Sequence, residues 1–365
     1  MPADTRDEDD IGAPHRSEPT RLTQRDVTPF SDTGGIRFGN GRAGDSVLAM
    51  AKRSATKARD ESTQDGPNPR QPCPCGSGKR YKACHGSAGG TSDVIVTRPF
   101  EGLAGECELV ALREFVPSAT APLPLAGDPD RDVTLATVLP MAAAAIVRED
   151  GSALVGLQVQ TRSGDISRDL ARAVEWALTA RPGGMLGVVG PEDGSPPTRL
   201  QDLLVRDEAL SVTLHRDFAW WVPAGQQPTP EVALSLERAN SAILPTERID
   251  APGVDAAYWV DAKTKAHLRW VRPEPEEALL AALARLGAGD GLDLGDGSRF
   301  VGSFRAHGLL VPVWDLDRDS HPREWQDPAA RFATRLAEAL ASERPLSDTE
   351  RRALQGLRGR QLTLR

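Results

Sequence analysis

Three of the four cysteines lie with one histidine in a short segment of the chain. Cys73 and Cys75 are separated by one residue, and Cys84 and His85 follow after a spacing of eight residues. Thiolates and a neutral imidazole are the groups that hold Zn²⁺ in closed, four-coordinate structural sites. The type and spacing of these residues therefore predict a tetrahedral zinc site made of Cys73, Cys75, Cys84 and His85.

The composition around these four residues also favours a metal-dependent fold. Gly76 and Gly78 allow the backbone to turn tightly after Cys75. Tyr81 is the only large apolar side chain in the segment, so little besides a metal would hold it folded. A disulfide is the alternative, but Cys73 and Cys75 are too close in sequence to bridge easily. Two roles stay open for the zinc, which either stabilises the segment alone or also supports a docking surface.

The segment 72–86 resembles the SEC-C motif, the small zinc module at the C-terminus of the bacterial preprotein translocase motor SecA. The family pattern C-P-C-G-S-G-K-x-Y-K-x-C-[CH]-G is matched along its whole length. The resemblance implies Zn²⁺ as the cofactor and Cys73, Cys75, Cys84 and His85 as its ligands. In SecA the module binds partners that include the export chaperone SecB and the ribosome, so the resemblance implies a protein partner of this kind.

The rest of the chain does not resemble the SecA motor. It lacks the G-x-x-x-x-G-K-[ST] phosphate loop, and Arg80 stands where the loop in 76–80 would need a Mg²⁺-binding hydroxyl. An ATP-driven motor is therefore not expected. The chain as a whole is instead similar to an uncharacterised bacterial family, whose members are sometimes labelled SecA from the motif alone. The features that carry this resemblance are a basic start, the SEC-C motif and the segment Arg98-Pro99-Phe100-Glu101-Gly102-Leu103.

Charge is distributed unevenly along the 365 residues, whose net charge is −8. Residues 1–49 carry 9 acidic and 6 basic side chains, whereas residues 50–90 carry 8 basic and 3 acidic ones. The acidic total argues against a basic nucleic-acid coat. No apolar run approaches the roughly 18–20 residues of a membrane span, and a signal peptide is not evident, so we expect a cytoplasmic protein.

The first 66 residues show no sustained helical or strand period, and we expect them to be disordered. Met50 could be the true translation start. The zinc module would span residues 67–90, and two α+β subdomains would follow at 91–245 and 246–365.

In both subdomains the order of strand and helix patterns predicts an antiparallel sheet with helices, which is typical of the α+β fold class. The similar order in the two subdomains also suggests two similar halves. The first contains a hairpin around Asp150-Gly151 with Ile146 opposite Val155, and a strand at 210–222. The second contains a hairpin centred on Thr264, with Tyr258 opposite Trp270. Helices are predicted at 103–116, 168–180, 276–286, 328–341 and 348–358, and further strands at 299–304 and 309–314.

Other candidate sites are weaker. Cys107 falls on the apolar stripe of a predicted helix and reads as a core residue. The Gly/Asp-rich loop 289–297 lacks the ligand spacing of a calcium loop. Trp221 and Trp259 point away from the apolar faces of their strands, which predicts either an exposed aromatic contact site or a second packing layer.

One acid–base cluster is conceivable. His215, Asp217, Asp261 and His267 fall on the polar faces of predicted strands, where a covering pocket would make them a catalytic site. The alternative is a solvated sheet face with a single cross-strand pair between Asp261 and His267.

Three functions follow as hypotheses, and no catalytic residue is assigned. The first is a non-enzymatic adaptor that docks through the zinc module to a ribosome, chaperone or secretion factor. The second is RNA binding through the same zinc and basic segment, although only Tyr81 could stack on a base. The third is an enzyme with a pocket in the α+β body.

Overall fold

The computed structural model describes residues 95–159, 163–189, 198–223 and 225–360. These residues form two β-sheets and seven α-helices, which confirms the α+β class. The predicted tail 1–66 and the predicted zinc module 67–90 lie outside the described residues. The division of the body at residues 245 and 246 stays a prediction.

Sheet 1 has six strands in the order β5-β3-β4-β2-β1-β6. Its one parallel pair joins β2 to β4, because the β3–β4 hairpin folds back and places β4 beside β2. The other strand pairs are antiparallel. The strands are β1 Ala119–Pro122, β2 Val133–Ala136, β3 Ala145–Val147, β4 Ala153–Gly156, β5 Met185–Leu186 and β6 Thr213–Leu214.

Sheet 2 has five strands in the order β10-β11-β9-β8-β7 and is antiparallel throughout. Its strand order and its lack of a parallel pair distinguish it from sheet 1, so the expected similarity of two halves does not extend to their topology. The strands are β7 Thr246–Arg248, β8 Ala257–Asp261, β9 Ala266–Trp270, β10 Ser298–Ala306 and β11 Leu309–Leu316.

Local capping signals place several helices as predicted. Asp165 accepts a hydrogen bond from the Ser167 amide at the start of α2, and Ser347 and Glu350 form a capping box on α7. The helix α4 was not predicted, because its apolar stripe is weak, and none of its side chains is buried in the structure. The helices are α1 Glu106–Glu114, α2 Ile166–Thr179, α3 Leu200–Leu203, α4 Pro230–Ala242, α5 Glu276–Gly287, α6 Gln326–Leu340 and α7 Asp348–Gly359.

The register predicted for the first hairpin is wrong by one residue. Val155 lies opposite Ala145 instead of Ile146. The Arg148 amide donates to the Ser152 carbonyl, so three residues rather than two form the turn, and Gly151 takes the positive φ of 86° that such a turn needs.

The register predicted for the second hairpin is also wrong by one residue. Asp261 lies opposite Ala266, and a four-residue turn replaces the odd-length loop around Thr264. The Asp261 carboxylate accepts a hydrogen bond from the Lys263 amide, and Lys263 has a φ of 72°. Trp270 therefore lies opposite Ala257 and faces away from Tyr258.

The strand predicted at 210–222 is mostly absent. Only Thr213–Leu214 pairs with β1, and Ala219–Trp221 forms a 3-10 turn. The Asp217 side chain accepts a hydrogen bond from the Ala219 amide, which turns the chain away from the sheet.

Two large hydrophobic cores and one small cluster hold the described body together. The larger core joins α1, α2, one face of sheet 1 and one face of sheet 2, and includes Leu109, Val155 and Tyr258. The smaller core lies on the opposite face of sheet 2, beneath α5, α6 and α7. Trp259 packs into the smaller core with 8% of its surface exposed, and Trp221 is 6% exposed. An exposed aromatic site at these two tryptophans is therefore wrong, and Trp259 belongs to a second packing layer.

A buried polar group connects α1 to sheet 2. The Tyr258 hydroxyl donates a hydrogen bond to the Glu108 carboxylate, whose other oxygen lies 2.9 Å from the Arg248 guanidinium. Burial raises the pKa of Glu108, and the bond from Tyr258 acts in the opposite direction. Burying this carboxylate costs free energy, and Tyr258 and Arg248 offset that cost. The stability of the fold therefore depends on both of these partners.

We predict that Tyr258→Phe lowers the free energy of unfolding by about 1–3 kcal/mol, because a buried carboxylate loses its hydrogen-bond donor. Urea denaturation measures the change. Ser241→Ala is the control, since it removes an exposed hydroxyl that bonds to its own helix and should change stability by less than about 0.5 kcal/mol. An equal loss in both variants would contradict a role for the buried group.

The C-terminal end of α7 rests on the edge of sheet 2. The Ser303 amide donates a hydrogen bond to the Arg360 carbonyl, and Gly302 approaches the same carbonyl with a φ of 146°. A Cβ at Gly302 would lie 2.3 Å from that oxygen, whereas a Cβ at Gly356 in α7 would meet nothing within 4 Å.

We therefore predict opposite effects for the same substitution at two glycines. Gly302→Ala should lower the free energy of unfolding by about 1–3 kcal/mol, because it strains the backbone and displaces Arg360. Gly356→Ala should raise it by about 0.5–1 kcal/mol, because alanine favours a helix interior. Thermal and urea denaturation of the two variants test the pair, and destabilisation by Gly356→Ala would contradict the described packing of α7.

Candidate functional site

The predicted zinc ligands Cys73, Cys75, Cys84 and His85 lie outside the described residues. Within the described ranges, no group of three or more histidine, cysteine, aspartate or glutamate side chains could hold a metal ion. In the loop 289–297, the Asp293 carboxylate accepts a hydrogen bond from the Phe300 amide. The zinc site therefore stays a prediction from the sequence.

Cys107 has the environment of a core residue. It is half-buried and packs against the larger core from α1. Burial, followed by the neighbouring Glu106 carboxylate, raises the pKa of the Cys107 thiol to about 12. Since the thiolate is the nucleophilic form, this environment favours the less reactive thiol.

The conceivable acid–base cluster is divided between two sheets. His215 follows β6 of sheet 1, and its Nε2 lies 2.9 Å from the Thr120 hydroxyl. The imidazole stacks on Trp220 at 5.4 Å between ring centroids. Burial lowers the pKa of His215, with a smaller opposite effect of Asp217. The neutral imidazole is therefore the favoured form in this environment.

His267 lies on β9 of sheet 2. Its Nδ1 is 3.1 Å from the Asp315 carboxylate, at ion-pair distance but without hydrogen-bond geometry. Burial lowers the pKa of His267, and Asp315 acts in the opposite direction. Asp261 instead pairs with Arg318 at 3.0 Å.

The predicted pair between Asp261 and His267 is therefore wrong. The hairpin register places His267 opposite Val260 and Asp261 opposite Ala266, so the two side chains lie on opposite faces of sheet 2. His215, Asp217, Asp261 and His267 do not form one acid–base site, and the enzyme hypothesis loses the residues on which it was based.

Two cavities adjoin His215. One is an open groove of about 610 Å³ on sheet 1, and the other is a partly enclosed pocket of about 320 Å³ beside β7. His215 could be singled out from the strand pattern, but the other lining residues could not, because they come from separate segments of the chain. Among them are Thr120, Arg131 and Arg148 in the groove and Leu214, Ile243 and Leu244 in the pocket.

The described body is thus an α+β unit with small surface cavities, and a cysteine-rich motif precedes it in the sequence. The chain matches the SEC-C motif over residues 70–87. It also matches a family of unknown function, DUF5926, over residues 99–365. The chain belongs to this family, which confirms the expected uncharacterised family.

Part of the chain is similar to a small part of a much longer curated protein. Over 82 residues the chain is 35% identical to the protein translocase subunit SecA of Rubrobacter xylanophilus. The match covers 22% of this chain and 8% of that protein, so the chain spans less than a tenth of the relative's length. No solved structure matches the chain. None of the helices in the described ranges has the length and apolar composition of a membrane span.

The two half-buried imidazoles give a test of the described environments. We predict that His215 and His267 titrate below the usual histidine pKa of about 6.5, because burial penalises the charged form of each. Two-dimensional ¹H–¹³C NMR of the imidazole groups, assigned with His215→Gln and His267→Gln, measures both values. Titration at or above the usual value would contradict the described burial.

Since both folded-state pKa values are lowered, each histidine favours folding when neutral. This contribution is fully present above the unfolded pKa of about 6.5 and is lost as the pH falls through the folded value. The loss of stability in mild acid should therefore be smaller in each glutamine variant than in the unmodified protein.

Proposed function

We propose that this protein is a zinc-dependent adaptor that docks to a protein partner through its SEC-C motif. The match over residues 70–87 carries the proposal, together with the similarity to SecA. In the proposed site Cys73, Cys75, Cys84 and His85 hold one Zn²⁺.

The chemistry of the donor set favours docking over catalysis. Three thiolates and one imidazole fill the four positions of a tetrahedral ion, which leaves no open position for a substrate. A bound zinc would stabilise the segment and present its side chains to a partner. A catalytic zinc would instead need three protein ligands and a bound water.

The charge distribution indicates the kind of partner. Residues 50–90 combine 8 basic with 3 acidic side chains, whereas the rest of the chain is acidic. A basic segment of this kind attracts an acidic surface and increases the rate of association. The ribosome, an export chaperone or a secretion factor is the proposed class of partner, and the ribosome is the first to test.

RNA binding is the second candidate, and the same basic segment favours it, since phosphates would also be attracted. However, the motif offers only Tyr81 for stacking on a base. We therefore place protein docking first and treat binding to free RNA as an outcome of the test.

We predict that the purified full chain binds one zinc ion. Cys84→Ala should lose most of the metal, because three remaining donors hold zinc more weakly. Cys107→Ala is the matched control, since it removes a thiol outside the motif and should keep the full metal content. Inductively coupled plasma mass spectrometry of the zinc, together with the protein concentration, gives the number of zinc ions per chain. A ratio near zero in the unmodified protein, or equal content in both variants, would refute the zinc site.

Docking is tested by co-sedimentation with purified ribosomes, using the same two variants. We expect the unmodified protein and Cys107→Ala to sediment and Cys84→Ala to stay in the supernatant. Full binding to protein-free ribosomal RNA, with affinity falling steeply as salt is added, would favour the RNA alternative. Failure of the unmodified protein to bind ribosomes would remove this partner even if the zinc site is real.

A further inference from the structure

His215 lines two cavities of different chemistry. Its imidazole is the side chain that the lining of the groove on sheet 1 shares with the lining of the pocket beside β7. Its Nε2 is held by Thr120 and its ring face by Trp220, which fix its position. The Trp220 indole is held in turn by a 3.0 Å hydrogen bond to the Ser118 hydroxyl, and Ser118 lines the pocket.

The pocket is small, and five of its ten lining residues are apolar. These are Pro117, Leu214, Ile243, Leu244 and Pro245. The rest of the lining is His215, Ser118, Thr246 and the exposed Arg216 and Glu247. A volume of about 320 Å³ is at the small end of the range of ligand pockets, and suits a single apolar group. Burial of such a group in the pocket would be favourable in proportion to its apolar surface.

The groove supplies positive charge and hydrogen-bonding groups. Arg131 and Arg148 are half-buried, and their guanidinium groups donate to main-chain carbonyls rather than to carboxylates. Neither arginine has an ion pair among the described residues. The two aspartates of the groove, Asp132 and Asp150, are exposed, and Asp150 accepts hydrogen bonds from the Ser152 amide and hydroxyl.

The cationic groups therefore lie deeper than the acidic ones. Burial lowers the pKa of Arg148, and Asp150 has a smaller effect in the opposite direction. Burial thus penalises the positive charge of Arg148, and an anionic ligand would offset this penalty. An anionic group entering the groove would pair with Arg148 and with the hydroxyl groups of Thr120 and Thr134, which also line it.

We propose that the two cavities form one binding site for a small amphipathic carboxylic acid, with its apolar chain in the pocket and its carboxylate in the groove beside His215. The ligand passes the edge of the imidazole, and Arg148 pairs with the head group. All the residues involved lie between 117 and 247, so the proposal is independent of the zinc motif and of the adaptor function.

The test is isothermal titration calorimetry of the full chain with the straight-chain carboxylates from butanoate to decanoate. Each methylene buried in the pocket should tighten binding about fourfold until the pocket is full, after which the gain should stop. Octylammonium and 1-octanol, which share the octanoate chain, should bind at least about tenfold more weakly because they lack the negative charge.

Two substitutions of the same kind locate the binding. Leu244→Trp fills the pocket and should abolish saturable octanoate binding, whereas Leu234→Trp places the same side chain on an exposed position of α4 and should leave it unchanged. His215→Ala shortens the side chain that both cavities share and enlarges the space beside it, so the chain length at which the gain stops should increase. Arg131→Gln and Arg148→Gln test the head group, and circular dichroism checks that each variant is folded.

The proposal is overturned if none of the carboxylates shows saturable binding, or if Leu244→Trp binds octanoate as the unmodified protein does. Equal affinity for octanoate and 1-octanol would overturn the assignment of the head group to the groove. The comparison of head groups uses the unmodified protein, so it remains decisive even if the arginine variants fail to fold.

Discussion

Sheet 2 is buried on both faces, and the rest of the body depends on this constraint. Tyr258 faces the larger core while the adjacent Trp259 faces the smaller one. Successive residues of a strand point to opposite faces, so a register shift of one residue would exchange the two cores. The buried Glu108 lies at one of these faces and is stabilised by Tyr258 and Arg248. Packing on both sides therefore fixes the position of α1, and α1 leads directly into sheet 1.

Because sheet 1 shares the larger core with sheet 2, its remaining face is the less completely covered one. Short elements, including the 3-10 turn Ala219–Trp221, lie over this face. The groove lies on this face of sheet 1, and the pocket lies beside it, where β6 approaches β7. Cavities lined by separate loops on a rigid sheet are a common place for ligands, since the scaffold holds the side chains in position.

Local sequence patterns predicted the longer elements well. The helix α5 begins and ends close to its predicted limits, and the capping box at Ser347 marks α7 because capping involves neighbouring residues only. The strands β10 and β11 were predicted from their apolar residues. The helix α4 was missed because it is amphipathic only weakly, although Thr229 followed by Pro230 carried a start signal. Both hairpin registers failed by one residue, because turn length is decided by side-chain hydrogen bonds such as those of Asp150 and Asp261.

The SEC-C motif could be identified without any structure, since its cysteines, histidine and glycines fall within one short segment and need no tertiary contact to be recognised. The α+β class could be predicted too, because helical and strand periods are local properties. The separation of His215 from His267, and the orientation of Asp261 away from His267, became visible in the folded structure. The tertiary structure alone placed Arg148 and Leu244 around His215. Residues distant in the chain meet only through strand order and register, and these depend on how the whole body packs.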